Sequence, residues 1–254
     1  MSKNFELMQE FLKETEVDGE RSTSAPPKPL LFPGISLGAK GPAFNRAAQE
    51  ECHKLVQGVF LADSSLSRAI VFAAVERGDG CTRICVETAR ILASNTESRV
   101  CIVDANLRNP SLPGFFGVSN HRGLLDALAN EGSRVSTFTT QLEANLWLLS
   151  AGGTGPGAPP ALNSELLGAR LKELRDEFRY VLVDAPALNV HMDAIALARN
   201  GNADGIIVVL QADSTRRETA IKAVASVRQA KIEVLGAVLN RRSFPIPELL
   251  YRRL

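Results

Sequence analysis

Six short runs along this chain are apolar almost throughout: Ala69 to Ala74, Arg99 to Asp104, Leu146 to Gly152, Tyr180 to Asp184, Gly205 to Leu210 and Val234 to Leu239. Strict alternation of apolar and polar residues marks a strand with one wet face. Unbroken runs of this length, rich in Val, Ile and Leu, mark strands covered on both faces, as in parallel sheets. Between them lie segments with apolar residues at helical spacing: Thr82 to Ala93, Ser164 to Phe178, Met192 to Asn200 and Arg216 to Lys231. Strands alternating with helices predict an α/β fold, a doubly wound, mostly parallel sheet of about seven strands with helices on both faces.

The N-terminal region has a different pattern. Phe5 to Leu12 carries apolar residues at 5, 7, 8, 11 and 12, which predicts a short amphipathic helix, and Val17 to Gly41 is rich in Ser, Pro and Gly and reads as an extended linker. The predicted organisation is 1–45 as helix and flexible linker, 46–243 as one α/β domain, and 244–254 as a C-terminal tail. The helix is a candidate docking element or a segment that folds back on the domain. Gly152 to Pro160 is a second flexible stretch, either a lid or a plain connector.

Composition narrows the function classes. No apolar run approaches the roughly 20 residues of a membrane span, and acids interrupt every apolar stretch of the first 20 residues, so neither direct membrane insertion nor a signal peptide is expected. A net charge of +1 argues against a nucleic-acid-binding surface. The four cysteines, Cys52, Cys81, Cys85 and Cys101, form no Cys-x-x-Cys, and the histidines are scattered, so buried free thiols in a reducing cytoplasm are expected.

The candidate chemistry sits at strand ends. Arg77-Gly78-Asp79-Gly80-Cys81-Thr82-Arg83 joins the first apolar strand to a helix. Glycines in such a turn let backbone N–H groups converge on a phosphate, and the helix N-terminus adds partial positive charge. A full phosphate loop also carries an earlier Gly and a Lys before the Thr; here Val75 and Cys81 occupy those places. Two other strands end in acids, Asp104 and Asp184. Ligands bind at the carboxyl ends of strands in open parallel sheets, so Thr82, Asp104 and Asp184 form a candidate Mg²⁺ set of hard oxygen ligands.

With these landmarks in order, the sequence resembles the bacterial tyrosine kinases of capsular exopolysaccharide biosynthesis, P-loop proteins related to the MinD and ParA ATPases. The resemblance runs from Gln49 to Arg242. It is carried by Arg77 to Thr82 for the phosphate loop, by Asp104, Asn106, Arg108 and Pro110 with Phe116-Gly117 for the Asp-x-Asp-x-Arg-x-Pro motif, and by Gly123 to Leu128. It continues through Leu146 to Gly152, Pro160 to Leu167, Asp184 to Pro186, Asp193-Ala194, Ala203 to Gly205, and Val234 to Arg241. The resemblance implies ATP or ADP with Mg²⁺ as ligands. It implies nucleotide contacts from Gly78, Asp79, Gly80, Cys81, Thr82, Arg83 and Asn240, the last near adenine, and catalytic roles for Asp104, Arg108 and Asp184. Its implied partner is a membrane polysaccharide co-polymerase or chain-length regulator, and homo-oligomers are a further expectation, with the protein cytoplasmic or peripheral at the inner membrane face through that partner.

Four departures qualify the resemblance. Cys81 replaces the loop Lys, and Asn106 replaces the second Asp. The family's Glu-x-x-Arg-x-x-Arg helix motif, associated with ring assembly, reads Glu50, His53 and Val56. The family's terminal tyrosine cluster is reduced to Tyr251, the one candidate phosphoacceptor in the tail. Three readings stay open: a nucleotide-binding regulator of exopolysaccharide synthesis and export with impaired catalysis, an active ATP-dependent tyrosine kinase using Arg77, Arg83 or Arg108 in place of the Lys, and a nucleotide-free scaffold of a polysaccharide export complex.

Overall fold

The computed structural model describes residues 30–35, 46–62, 68–153, 165–190 and 193–242. The strands are β1 (Leu30–Ile35), β2 (Arg68–Ala74), β3 (Val100–Asp104), β4 (Thr140–Glu143), β5 (Leu146–Leu149), β6 (Tyr180–Ala185), β7 (Gly205–Gln211) and β8 (Val234–Asn240). The helices are α1 (Arg46–Leu55), which runs on into a π-helical turn at Val56–Phe60, then α2 (Cys81–Asn95), α3 (Leu112–Phe116), α4 (Leu124–Ala129), α5 (Glu165–Glu177), α6 (Asp193–Asn200) and α7 (Arg217–Gln229). One eight-stranded sheet has the order β1-β8-β7-β2-β6-β3-β5-β4, parallel except for the β4–β5 pair.

The apolar strand runs are resolved into two cores by the two-residue period of a strand. Ala69, Val71, Ala73 and Val75 face one layer with α4 to α7, whereas Ile70, Phe72 and Ala74 face the other with α1 and α2. Both sets are apolar, which is why the sequence shows continuous runs and not alternation. The largest wholly buried side chains, among them Phe60, Phe72, Phe178 and Ile102, belong to these layers.

Two strands were not expected from the pattern. β4 is short and largely exposed, so it leaves little apolar signal. β1 lies inside the stretch read as extended linker, where it pairs in parallel with β8. Its run Leu30-Leu31-Phe32 supplies the strand, and Pro33 is accommodated because β1 is an edge strand whose register shifts between Phe32 and Ile35. Part of the 1–45 segment thus belongs to the sheet. The helix expected at Phe5 to Leu12, the remainder of the linker, most of the Gly152 to Pro160 stretch and the tail with Tyr251 lie outside the described residues.

One of the departures, the helix motif, acquires a structural setting. Val56 is fully buried in the layer with α1 and α2, and a ring nitrogen of His53 lies 3.2 Å from Asn95 Nδ2. Asp204 accepts a hydrogen bond from Ala69 N at 2.7 Å and pairs with Arg175 at 3.0 Å, which ties the start of β7 to β2 and α5.

The packing of α5 on α6 depends on Gly168. A Cβ there would stand 2.3 Å from the backbone oxygen of Asn200. Gly168→Ala is therefore expected to destabilise the domain by about 1–3 kcal/mol, the range for overpacking a close contact; chemical denaturation that showed no loss would mean the two helices part without cost.

Candidate nucleotide site

The phosphate-loop segment leaves β2 at Ala74 and enters α2 at Cys81. It turns on two glycines in the left-handed region, Gly78 at φ 99° and Gly80 at φ 88°. Gly80 is required twice over, because a Cβ on it would lie 2.3 Å from Asn240 Nδ2. That amide donates to the carbonyl of Asp79 at 2.6 Å, while Asn240 Oδ1 accepts from Arg241 N at 2.8 Å. Asp79 Oδ2 in turn accepts from Glu76 N at 2.9 Å and from the Thr215 hydroxyl at 3.4 Å. The loop is thus braced against the ends of β7 and β8 without help from any ligand. Burial raises the pKa of Asp79, its backbone and Thr215 hydrogen bonds opposing the rise.

At the next two strand ends stand the predicted acids. Register pairs Asp104 with Asp184 across β3 and β6, and Phe72 with Asp184 across β2 and β6, so all three strands deliver their ends to one place. The Thr82 hydroxyl donates to Asp184 Oδ2 at 2.7 Å and accepts from Ser111 Oγ at 3.2 Å. No hydrogen bond of ordinary geometry reaches the buried Asp184 Oδ1, and the neighbouring Cys81 thiol acts on the carboxyl only as a weak donor that opposes the rise in its pKa. Asp104 is used otherwise: Oδ1 accepts from Asn106 N at 3.2 Å, and Oδ2 accepts from Ser111 N and Leu112 N at 2.9 and 3.0 Å, at the start of α3. Burial pushes Asp184 up to about 7 and Asp104 up to about 6. The Thr82 hydrogen bond and the backbone N–H groups, respectively, hold each of them lower than burial alone would.

Cys81, in the position where a phosphate loop has its Lys, is 7% exposed. Burial, then the charge of Asp184, pushes its thiol well above the usual range. The thiol is protonated at neutral pH, so it is neither a cation for phosphate nor a reactive thiolate. Cys52, Cys85 and Cys101 are likewise buried and free, as the sequence predicts.

A cleft of about 530 Å³ opens over the loop, lined by the loop, by Asn106 to Ser111, by Ala185 to Ala187 and by Asn240. Its charged lining is Glu76 with four arginines, Arg77, Arg83, Arg108 and Arg241. Arg108 pairs with Asp193 at 3.5 Å, and Arg241 donates to Gln211 Oε1 at 2.7 Å. The structure therefore gathers Gly78, Gly80, Cys81, Thr82, Arg83, Arg108 and Asn240 around one cleft, with Asp79, Asp104 and Asp184 buried beneath it. Asn240, expected near adenine, spends its amide on bracing the loop. Ser111 and Thr215 were not singled out from the sequence. Ser111 could have been noticed as the residue preceding Leu112-Pro113 at a helix start, whereas Thr215 reaches Asp79 only through the fold.

The donor set suits Mg²⁺ at two of its three predicted members. Thr82 and Asp184 present hard oxygens in contact, and Oδ1 of Asp184 is a buried acceptor that no hydrogen bond of ordinary geometry reaches. The Asp104 oxygens are already engaged by backbone N–H groups, which makes Asp104 a support for the turn into α3.

A parallel sheet whose second strand leads through a glycine loop into a helix, with acids on the neighbouring strand ends, defines the P-loop NTPase fold of the MinD and ParA type. In sequence and in fold the chain is similar to bacterial tyrosine kinases. It is 26% identical to tyrosine-protein kinase YwqD of Bacillus subtilis over 174 residues, 68% of this chain and 72% of YwqD. CapB of Staphylococcus aureus is 27% identical over 143 residues, 56% of this chain and 62% of CapB. ExoP of Rhizobium meliloti, a succinoglycan biosynthesis transport protein, is 28% identical over 199 residues, which are 77% of this chain and only 24% of ExoP. No protein-family model matches the chain. Among solved structures, the kinase domain of the Escherichia coli tyrosine kinase ETK superposes with a TM-score of 0.74 at 17% identity, covering 94% of this chain and 97% of that domain. The chimeric protein CapA2B2 superposes at 0.73 with 20% identity over 85% and 95% of the two chains. A plasmid partition protein from Borrelia burgdorferi bound to AMPPNP superposes at 0.56 with 17% identity over 74% and 80%.

The raised acids make stability depend on pH. Asp184 binds its proton more tightly in the folded chain than in the unfolded one. Its contribution is therefore fully present below the unfolded value of 3.8 and is lost as pH rises through about 7. Asp104 acts in the same sense up to about 6. The natural protein should melt lower at pH 8 than at pH 5, and Asp184→Asn, which retains an acceptor for Thr82, should flatten that slope by a few degrees, at roughly 2–4 °C per kcal/mol for a domain of this size. Equal slopes in the two proteins, followed by calorimetry, would show that Asp184 does not carry the buried charge.

Proposed function

We propose that this protein is a nucleotide-binding regulator of exopolysaccharide or capsule synthesis, built on the tyrosine-kinase fold and impaired as a kinase. The observation that carries the reading is the combination of a pre-braced glycine loop with an uncharged Cys81 at the lysine position. A charge-assisted hydrogen bond is worth about 1.5–3 kcal/mol, so its loss weakens phosphate binding roughly ten- to a hundredfold. Binding survives a loss of that size when loop amides and a helix N-terminus remain. Phosphoryl transfer does not, because it depends almost wholly on positioned charge, and one stabilising cation can be worth about 10³–10⁵ in rate.

The residues divide the work accordingly. The backbone of Gly78 to Thr82 cradles the phosphates, and Asp79, Thr215 and Asn240 keep that backbone in place. Thr82 and Asp184 would hold Mg²⁺, which when bound neutralises phosphate charge. Asn106 offers no carboxylate to take a proton from an acceptor hydroxyl. Arg108 is turned toward Asp193 at the start of α6. Among the described residues no helix is long and apolar enough to cross a membrane. A membrane polysaccharide co-polymerase, proposed as the partner by family resemblance, would supply the membrane link.

The test is calorimetric titration of the full chain with Mg²⁺ and ADP, together with incubation with γ-labelled ATP. Micromolar binding, lost in Gly80→Val, without label transfer to the protein is the expected result. Label on Tyr251 would instead establish an active kinase, and absence of all binding would leave a scaffold.

A further inference from the structure

We infer that the cleft is a nucleoside diphosphate site, one that binds ADP at least as tightly as ATP. The inference rests on reading the cleft as a nucleotide site and concerns which nucleotide the site holds. It comes from the balance of buried charge. Beneath and beside the loop lie three buried carboxylates, Asp79 at 3%, Asp104 at 0% and Asp184 at 1% exposure. The described residues include one buried cation, Arg170, and its guanidinium is held by the carbonyls of Asn130 and Ser133 and by Glu173. The cleft's own arginines are at its rim. Arg77 is exposed, Arg108 and Arg241 are exposed and bonded to Asp193 and Gln211, and Arg83 sits one turn from Glu87 and offsets its charge.

The two phosphate seats are affected unequally. The β-phosphate seat of a phosphate loop is made of backbone N–H groups and the helix N-terminus, and both persist here. The γ-phosphate is reached by the loop Lys and bridged through the metal at the loop Thr. Thr82 shares a hydrogen bond with Asp184, so the γ seat is on the side of Asp184 and its register partner Asp104. At that seat the Lys is replaced by a neutral thiol, while both carboxylates stay. Apart from the metal, a γ-phosphate thus meets two buried acids and no buried side-chain cation, whereas the β-phosphate keeps its amides. The chain has lost the charge that would repay it for holding a third phosphate.

The experiment is to titrate the full-length natural protein with ADP, ATP and AMP, each with and without Mg²⁺. Expected is an ADP affinity equal to or up to about tenfold above that for ATP in both conditions, with AMP far weaker because it brings no β-phosphate to the loop. Cys81→Lys should shift the ratio toward ATP by roughly tenfold or more, and Cys81→Ala should leave it unchanged. Because Cys81 is buried, the lysine variant can fail to fold, and the ratio in the natural protein then decides alone. ATP binding more than about threefold tighter than ADP overturns the inference and leaves the nucleotide site standing. Failure of both nucleotides to bind overturns the nucleotide site itself, and the inference with it.

Discussion

Everything in the cleft depends on one buried carboxylate, Asp184, held at the carboxyl end of β6 between β2 and β3. It is 1% exposed, accepts one hydrogen bond from Thr82 and has an oxygen that no hydrogen bond of ordinary geometry reaches. Burying an ionised group without full compensation is among the costlier arrangements a fold can hold. The group responds by a pKa pushed up to about 7. The bond to Thr82 fixes the first turn of α2 against the sheet, and Ser111 extends that bond to the start of α3. The loop, the sheet edge and the next helix thus share one chain of hydroxyls ending on an acid.

The loop is held from its other side by a side-chain amide and a carboxylate. Asn240 fills the space a side chain on Gly80 would need, and Asp79 links the loop to Thr215. This explains why a loop without its lysine keeps its shape. The lysine acts on the ligand, whereas the shape comes from glycine dihedrals, a side-chain amide and a carboxylate that caps its own turn. A cysteine and not a lysine at position 81 therefore changes the charge of the loop without changing its geometry.

Much of this was legible in the residues. The six apolar runs became strands because both faces of the central sheet are covered, and the register that brings Asp104 opposite Asp184 follows from strands ending in acids at the same edge. What escaped reading has physical causes. β4 is exposed and short, so it carries no core signal, and β1 is an edge strand whose Pro33 reads as linker punctuation. Asn240 lines the cleft, but its bond to Asp79 spans 161 residues of sequence and has no local signature. Asp104 illustrates the opposite difficulty. A strand-end acid can ligate a metal or cap a turn, and the choice is made by the N–H groups of Ser111 and Leu112, which only the fold supplies.

The same contrast underlies the proposed separation of binding from catalysis. Backbone amides belong to the main chain of several residues, so replacing a side chain outside the loop glycines leaves them in place. Catalytic charge is concentrated in one or two side chains, and at the positions of the phosphate-loop Lys and the second strand-end acid this chain has Cys81 and Asn106. The buried acids that a lysine would have balanced remain, raised toward neutrality by their own burial. Such a residue set fits the proposed reading of a protein that holds a nucleotide without consuming it: the elements that would fix the ligand are ones the fold uses for its own stability, and the side chains that would transfer phosphate are not.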